Sequence, residues 1–274
     1  MSFDWAAAGI VLAVAVGVVV VTFVVTLLVA RAVGKHSVVD VTWGLGFVLV
    51  AVAAYVTTGL LGVGNPVVRL VALLLPAVWG LRLAGYIAWR NHGKGEDPRY
   101  TAMLGEDRPG GAISWTVVRK VYLTQAAVMI VVALPVLAAT VRASTVTVLV
   151  VVGVVVWLVG VVFESVGDAQ LARFKARSEN RGKVLDSGLW RYTRHPNYFG
   201  DFCVWWGIFA VAAGHPAALV TVVGPALMSY LLIGVTGKEL TERSMSDRPG
   251  YADYVARTSG FFPLPPGSAP ARAT

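Results

Sequence analysis

Long uninterrupted runs of Val, Leu and Ala dominate this chain. The first extends from Ala6 to Ala30 without a single charged residue. A run of that length spans the hydrocarbon of a bilayer as a helix, because lipid offers no hydrogen-bonding partner to an open backbone. Only 14% of the 274 residues are charged and 57% are hydrophobic, whereas a soluble domain carries about 25% charged residues. The chain therefore reads as an all-α, polytopic membrane helix bundle. About seven transmembrane helices are expected, at roughly 5–30, 41–62, 67–89, 121–141, 145–166, 199–214 and 217–236. Residues 1–263 are expected to form a single domain, and 264–274, rich in Pro, Ala, Gly and Ser, a disordered tail. The first run is not expected to be a cleaved signal: it is too long for an h-region and no Lys or Arg precedes Arg31.

Charge distribution sets the expected topology. Of the 23 Lys and Arg, only Arg69 and Arg142 fall in or beside the second, fourth and sixth connections. The remainder lie on the side shared by the first, third and fifth connections and the C-terminal tail. The positive-inside rule then places the N-terminus outside and the C-terminus in the cytoplasm of an integral, multi-pass cell-membrane protein. The net charge of +8 is thus a feature of topology, and no nucleic-acid partner is expected. It also suits anionic headgroups or a phosphate-bearing cofactor. The single cysteine, Cys203, excludes an internal disulfide and sits in an apolar run. The four histidines are too scattered to suggest a metal site.

Against this apolar background the stretch Gly188–Asp201 stands out. It holds Arg191, Tyr192, Arg194, His195, Asn197, Tyr198 and Asp201 just before another apolar run. An interfacial belt of aromatics and arginines accounts for part of it, but fixed Asn, His and Asp at a membrane edge point to a binding site. Upstream, Glu164, Asp168 and Lys175 fall within roughly 40° of one another on a helix, placing two acids and a base on one face. Gly153, Gly160 and Gly167 recur every seven residues on the same span, a smooth stripe for helix contact. On the third span Arg82, Tyr86 and Arg90 share a face; snorkelling explains Arg90 more readily than the deeper Arg82. Asp40 opens the second span, either as an N-cap or as a carboxylate facing the interior, with Gly44 and Gly46 permitting close approach. Glu96–Tyr100 lies in a loop too long and too mixed in character for a tight turn; its aromatics and paired charges suggest an ordered segment covering a cofactor. Lys238/Glu242 and Glu239/Arg243 are spaced as surface i,i+4 pairs. No Rossmann fingerprint or P-loop is present, so any nucleotide is held by another device.

Together these motifs resemble a known superfamily. Gly188-Leu189-Trp190-x-Tyr192-x-x-x-x-Asn197-x-x-Gly200-Asp201, with Asp168 and Lys175 upstream and Gly250-Tyr251-x-x-Tyr254 to Phe262-Pro263 downstream, resembles the C-terminal signature of the steroid 5-alpha-reductases and sterol reductases. Val39–Gly44, Glu96–Tyr100 and Arg194–Gly200 are similar to marks of its bacterial DUF1295 branch. The resemblance covers about 35–263 and is strongest in 164–201. It implies a membrane-embedded, NADPH-dependent oxidoreductase that reduces a C=C bond in a lipid substrate, whether steroid-like, fatty-acyl or isoprenoid. Asp168, Lys175 and Asn197 would hold the cofactor, with Arg82, Arg90, Glu164, Tyr192, Arg194, His195, Tyr198, Asp201 and Glu242 around them. Those enzymes pair a glutamate on an early helix with a tyrosine on the next. Here Asp40 is the matching carboxylate, Trp79 stands where the tyrosine is expected, and Tyr86 or Tyr100 can take the proton-donor role. A second resemblance competes: Arg194-His195-Pro196-x-Tyr198-x-Gly200 is shared with the isoprenylcysteine and phospholipid methyltransferases, which bind S-adenosylmethionine, and Glu239 and Glu242 resemble their paired acids. A third reading is a lipid-binding membrane protein without catalysis.

Overall fold

Valine favours strands in water, yet the valine-rich runs here are helical. In a bilayer each backbone N–H and C=O must be satisfied within its own segment, and a helix does that. A computed structural model describes residues 3–104, 114–144, 146–235 and 237–267. Among them, six helices are long and apolar enough to cross a membrane: Trp5–Val33, Val38–Leu60, Pro66–Asn91, Trp115–Val141, Val148–Ala176 and Pro216–Met245. The expected sixth span corresponds to the 17-residue helix Pro196–Ala212. The chain is all-α, as the composition predicts. Local chemistry sets the ends. Asp4 accepts the Ala7 N–H at 2.9 Å to open the first helix, and Gly34, at a φ of 73°, closes it in the left-handed conformation. Asn65 caps the third helix, with Pro66 at its first position.

By contact the chain divides into two compact units, residues 1–152 with 208–224, and residues 153–207 with 225–274. In the first unit the second and third spans meet backbone to backbone. A Cβ on Gly44 would lie 2.4 Å from the Gly80 carbonyl oxygen, and one on Gly46 would strike the Met129 side chain. Gly44 and Gly46 therefore serve helix contact. Thr26 and Thr42 share a hydrogen bond of 2.9 Å between the first and second spans. Arg142, wholly buried, donates to the Val211 carbonyl at 2.7 Å and to the hydroxyls of Ser144 and Thr147, while its own carbonyl accepts the Asn65 N–H at 2.8 Å. This cation sits at the carbonyl end of helix Pro196–Ala212, where the helix dipole favours positive charge; burial lowers its pKa from the ordinary guanidinium value.

In the second unit the seven-residue glycine stripe finds a matching one. A Cβ on Gly160 would lie 2.6 Å from the Gly200 carbonyl oxygen, and one on Gly207 would lie 2.6 Å from that of Gly153. Gly167 approaches Pro196 and Asn197. Helices Val148–Ala176 and Pro196–Ala212 thus run antiparallel in backbone contact, which only glycine permits at this separation. The fifth span continues ten residues past the expected end at 166, carrying Asp168 and Lys175 on regular helix.

The tail is tied to this unit. Ser259 and Phe261 offer carbonyls to the Arg194 N–H at 2.9 Å and the Thr193 hydroxyl at 2.7 Å. The Leu264 N–H donates to the Tyr192 carbonyl at 3.0 Å, and Gly267 to Arg257 at 2.8 Å. Within the expected tail 264–274, the stretch to Gly267 is therefore bonded to the body, and 268–274 lies outside the described residues, as does 105–113 of the loop after the third span.

Gly160→Leu or Gly200→Leu should destabilise the protein by about 3 kcal/mol or more, since backbone rather than a side chain obstructs the new atoms. Gly85→Ala, with nothing within 4 Å of the added Cβ, should leave the melting temperature in detergent unchanged or raise it.

Candidate functional site

Two clusters of polar side chains hold the residues singled out above, one in each unit. In the first unit the cluster gathers around the start of the second span. Asp40 lies in the first helical turn and is not its cap. The Tyr100 hydroxyl donates to Asp40 Oδ1 at 2.6 Å, Arg99 donates to Oδ2 at 2.9 Å, and Gln125 Nε2 reaches the Tyr100 oxygen at 3.5 Å. The carboxylate at this helix start is Glu96, more than fifty residues away in sequence, which accepts the backbone N–H groups of His36, Ser37 and Asp97. A side chain supplied by the loop thus satisfies donors that a local cap ordinarily takes. Burial alone would raise the Glu96 carboxyl, but these N–H bonds hold it below its ordinary pKa. Asp97 is likewise held down, against burial, by Arg99. Tyr100 is buried; burial and then the Asp40 charge push its pKa far above the usual phenol value. At neutral pH Tyr100 is therefore a donor.

Tyr86 lies between two cations: the Arg82 and Arg90 guanidinium carbons are each 5.8 Å from its ring centroid. The expected shared face of Arg82, Tyr86 and Arg90 is present. Of the two tyrosines considered for proton donation, Tyr100 bonds to Asp40. Trp79 is wholly buried and packs its ring at 5.8 Å from Phe47, so the indole serves the core.

In the second unit the face predicted on the fifth span is present, with Glu164 and Asp168 buried and Lys175 exposed. Asn197 Nδ2 donates to Asp168 Oδ1 at 3.4 Å. Its own carbonyl oxygen, Oδ1, is buried without a hydrogen-bond partner among the described residues. Asp201 follows one turn later on the same helix. The loop before them is set by side chains that packing alone would not require. Gln170 Oε1 accepts the Leu189 N–H at 3.0 Å, Trp190 Nε1 donates to the Gly167 carbonyl at 3.1 Å, and the Tyr254 hydroxyl donates to the Trp190 carbonyl at 2.6 Å. Gln170 carries no motif in the sequence; its position on the same helix as Asp168 and Lys175 is the available signal.

Arg194 and His195 converge on Glu242. The guanidinium bonds Glu242 Oε1 at 2.9 and 3.0 Å and the Thr258 carbonyl at 2.6 Å, while His195 Nε2 donates to the same carboxylate oxygen at 3.0 Å. Lys238 stands 3.9 Å from the other oxygen. Glu242 is thus the hub of a network, whereas Glu239 pairs with Arg243 at the surface; the two pairs read from spacing differ in setting. The Tyr198 ring stacks on His195 at 5.4 Å and its hydroxyl lies 3.3 Å from Thr241. Tyr192 is exposed and contributes its carbonyl to the tail. The contact with Glu242 by itself favours imidazolium, but burial, with His195 only 3% exposed, outweighs it. Together with Arg194 and Lys238, burial lowers the His195 pKa to about 4.

Residues 26–258 match the model of the family described as "Protein of unknown function (DUF1295)". The chain belongs to that family. The match spans both polar clusters, and with six apolar helices it describes a multi-pass membrane protein. No curated protein and no solved structure matches the chain.

Because His195 is held neutral below its unfolded pKa of about 6.5, the unfolded chain binds more protons between that value and about 4. Stability should be full above pH 6.5 and decline as pH falls through this window. Melting temperatures of wild type and His195→Gln across pH 7.5 to 4.5 should diverge, with the shallower decline in the variant.

Proposed function

We propose that this membrane protein is an NADPH-dependent reductase of a C=C bond in a lipid substrate, with the dinucleotide held by Asp168, Asn197 and Lys175. One observation carries the reading. The buried carbonyl oxygen of Asn197 lacks a donor among the described residues beside a buried carboxylate. Leaving such an atom unsatisfied costs about 1–3 kcal/mol. A ribose hydroxyl or the carboxamide of a nicotinamide is a donor of the required kind, and Asp168 can accept a second. Lys175, exposed two turns further along the helix, offers a point charge to a phosphate. The fit therefore rests on donor and acceptor types present in this unit. Arg194 and His195 act by holding Glu242 and the tail in place, a supporting role rather than one of phosphate contact. NADPH supplies a hydride when bound.

The reduction also consumes one proton, and we assign that side of the chemistry to Asp40 and Tyr100. The Tyr100 hydroxyl stays protonated, and by turning its one proton from Asp40 to the substrate it can hydrogen-bond a carbonyl conjugated to the reacting bond. Asp40 orients that hydroxyl at 2.6 Å and is itself oriented by Arg99. The charge asymmetry of the connections supports a cytoplasmic C-terminus and an external N-terminus, which puts the Asp168–Lys175 end of the fifth span on the side where NADPH is available. The methyltransferase reading draws on the same Arg194–Gly200 stretch and on Glu242, and differs in cofactor.

Purified protein in detergent should be stabilised by NADPH, by about 2.7 kcal/mol at a hundredfold excess over Kd, and not by S-adenosylmethionine; NADH serves as the parallel control for the phosphate. A shift with S-adenosylmethionine alone would overturn the reductase. Lys175→Ala and Asn197→Ala should each weaken NADPH binding by roughly tenfold or more, with little change in the apo melting temperature. Asp40→Asn and Tyr100→Phe should retain NADPH affinity and lose turnover at least a hundredfold; full activity in either removes that residue from the chemistry.

A further inference from the structure

The fifth span marks where the bilayer ends. Its outward residues are valines and leucine from Val148 through Val151, Val155, Leu158 and Val162 to Val166. Val148 to Val166 covers about 27 Å along a helix axis, close to the roughly 30 Å of bilayer hydrocarbon. Arg173 follows seven residues later, about 10 Å beyond Val166, a distance its long side chain can cover back to the headgroups.

From there the chain turns sharply and carries an unusual density of cations. Arg173, Arg177, Arg181, Lys183 and Arg191 are all exposed, with Lys175 among them. Two acids lie in the same stretch: Glu179 is exposed, and Asp186 is engaged by Arg257. The turn is built. Asn180 Nδ2 donates to the Phe174 carbonyl at 3.0 Å at the end of the span. Backbone bonds link Asn180 to Arg177, Arg181 to Ser178 and Lys183 to Asn180 at 3.0–3.1 Å, and Gly182 takes the left-handed conformation at a φ of 80°. The cations therefore project from a fixed loop.

Beside the end of that loop lies a second feature of the same unit. The tail crosses the start of helix Pro196–Ala212, where the Phe262 ring packs 6.1 Å from Phe199 and 5.7 Å from Phe202. Phe262, Leu264 and Tyr192 nonetheless remain exposed, at 53%, 56% and 43%. Aromatic and aliphatic groups left bare beside arginines at the end of an apolar span are the makings of a membrane-interface anchor.

We infer that the 173–191 connection, with the exposed Tyr192, Phe262 and Leu264, forms a docking surface for anionic phospholipid headgroups of the leaflet from which the fifth span emerges. The cations meet lipid phosphates as exposed donors, and the apolar side chains enter the acyl boundary next to them. The surface rests on Arg173, Arg177, Arg181, Lys183 and Arg191; with Lys175 left to the cofactor phosphate, it is distinct from the Asp168–Asn197 pair and does not depend on the cofactor reading. Anionic lipid then stabilises the protein, and the preference weakens with salt because exposed charges are screened.

The test uses the full chain in nanodiscs of phosphatidylcholine alone and with phosphatidylglycerol, read by melting temperature and by native mass spectrometry of retained lipid. Wild type should melt higher with phosphatidylglycerol and retain it preferentially. The triple variant Arg177→Gln/Arg181→Gln/Lys183→Gln should reduce that preference by up to about a hundredfold while binding NADPH as wild type does. Glu179→Gln should increase the preference, and inorganic phosphate should not reproduce the stabilisation. Equal behaviour of wild type in the two lipid mixtures, or an undiminished preference in a folded triple variant, would overturn the inference.

Discussion

The contact between helices Val148–Ala176 and Pro196–Ala212 is the constraint on which the second unit depends. Gly153, Gly160 and Gly167 on one helix meet Gly207, Gly200 and the Pro196–Asn197 turn on the other. Inside a bilayer there is no hydrophobic drive to bring helices together, so close backbone packing must do it. The seam also sets register. Because Gly167 touches Asn197, the Asn197 amide arrives beside Asp168, one residue along the partner helix. Structural packing and placement of the candidate site are thus one feature.

Within each unit, polar side chains perform work that aqueous loops ordinarily leave to water. Arg142 serves the carbonyl end of helix Pro196–Ala212, and Glu96 serves the amide end of helix Val38–Leu60. Glu242 gathers Arg194, His195 and Lys238 while Arg194 also holds the tail. Each joins segments distant in sequence. A charge placed near hydrocarbon without a partner is costly, so these networks explain why so sparsely charged a chain keeps its ionisable groups at specific places.

Much of the arrangement of the candidate site is legible in the residues themselves. Glu164, Asp168 and Lys175 could be placed on one face because helical periodicity is rigid, and the glycine stripe because a repeat of seven returns to the same side. The Asn197-bearing stretch stood out by polarity alone. From its sequence context Asp40 reads equally as a cap or as an interior carboxylate, because nothing local distinguishes them. Its bond to Tyr100 crosses sixty residues, and the capping role fell to Glu96. Gln170 was silent, since a lone glutamine on a helix carries no signature until the loop it holds is seen.

What the sequence alone determined is the class of protein: apolar runs of bilayer length admit only helices, and their periodicity assigns faces within each helix. What the tertiary structure decided is partnership. Which carboxylate meets Tyr100, which residue closes the second helix, and which acid Arg194 binds depend on distances between segments far apart in the chain. Periodicity orders residues along a helix axis; it says nothing of the neighbour across the gap, and hydrogen bonds form or fail over tenths of an ångström in that gap.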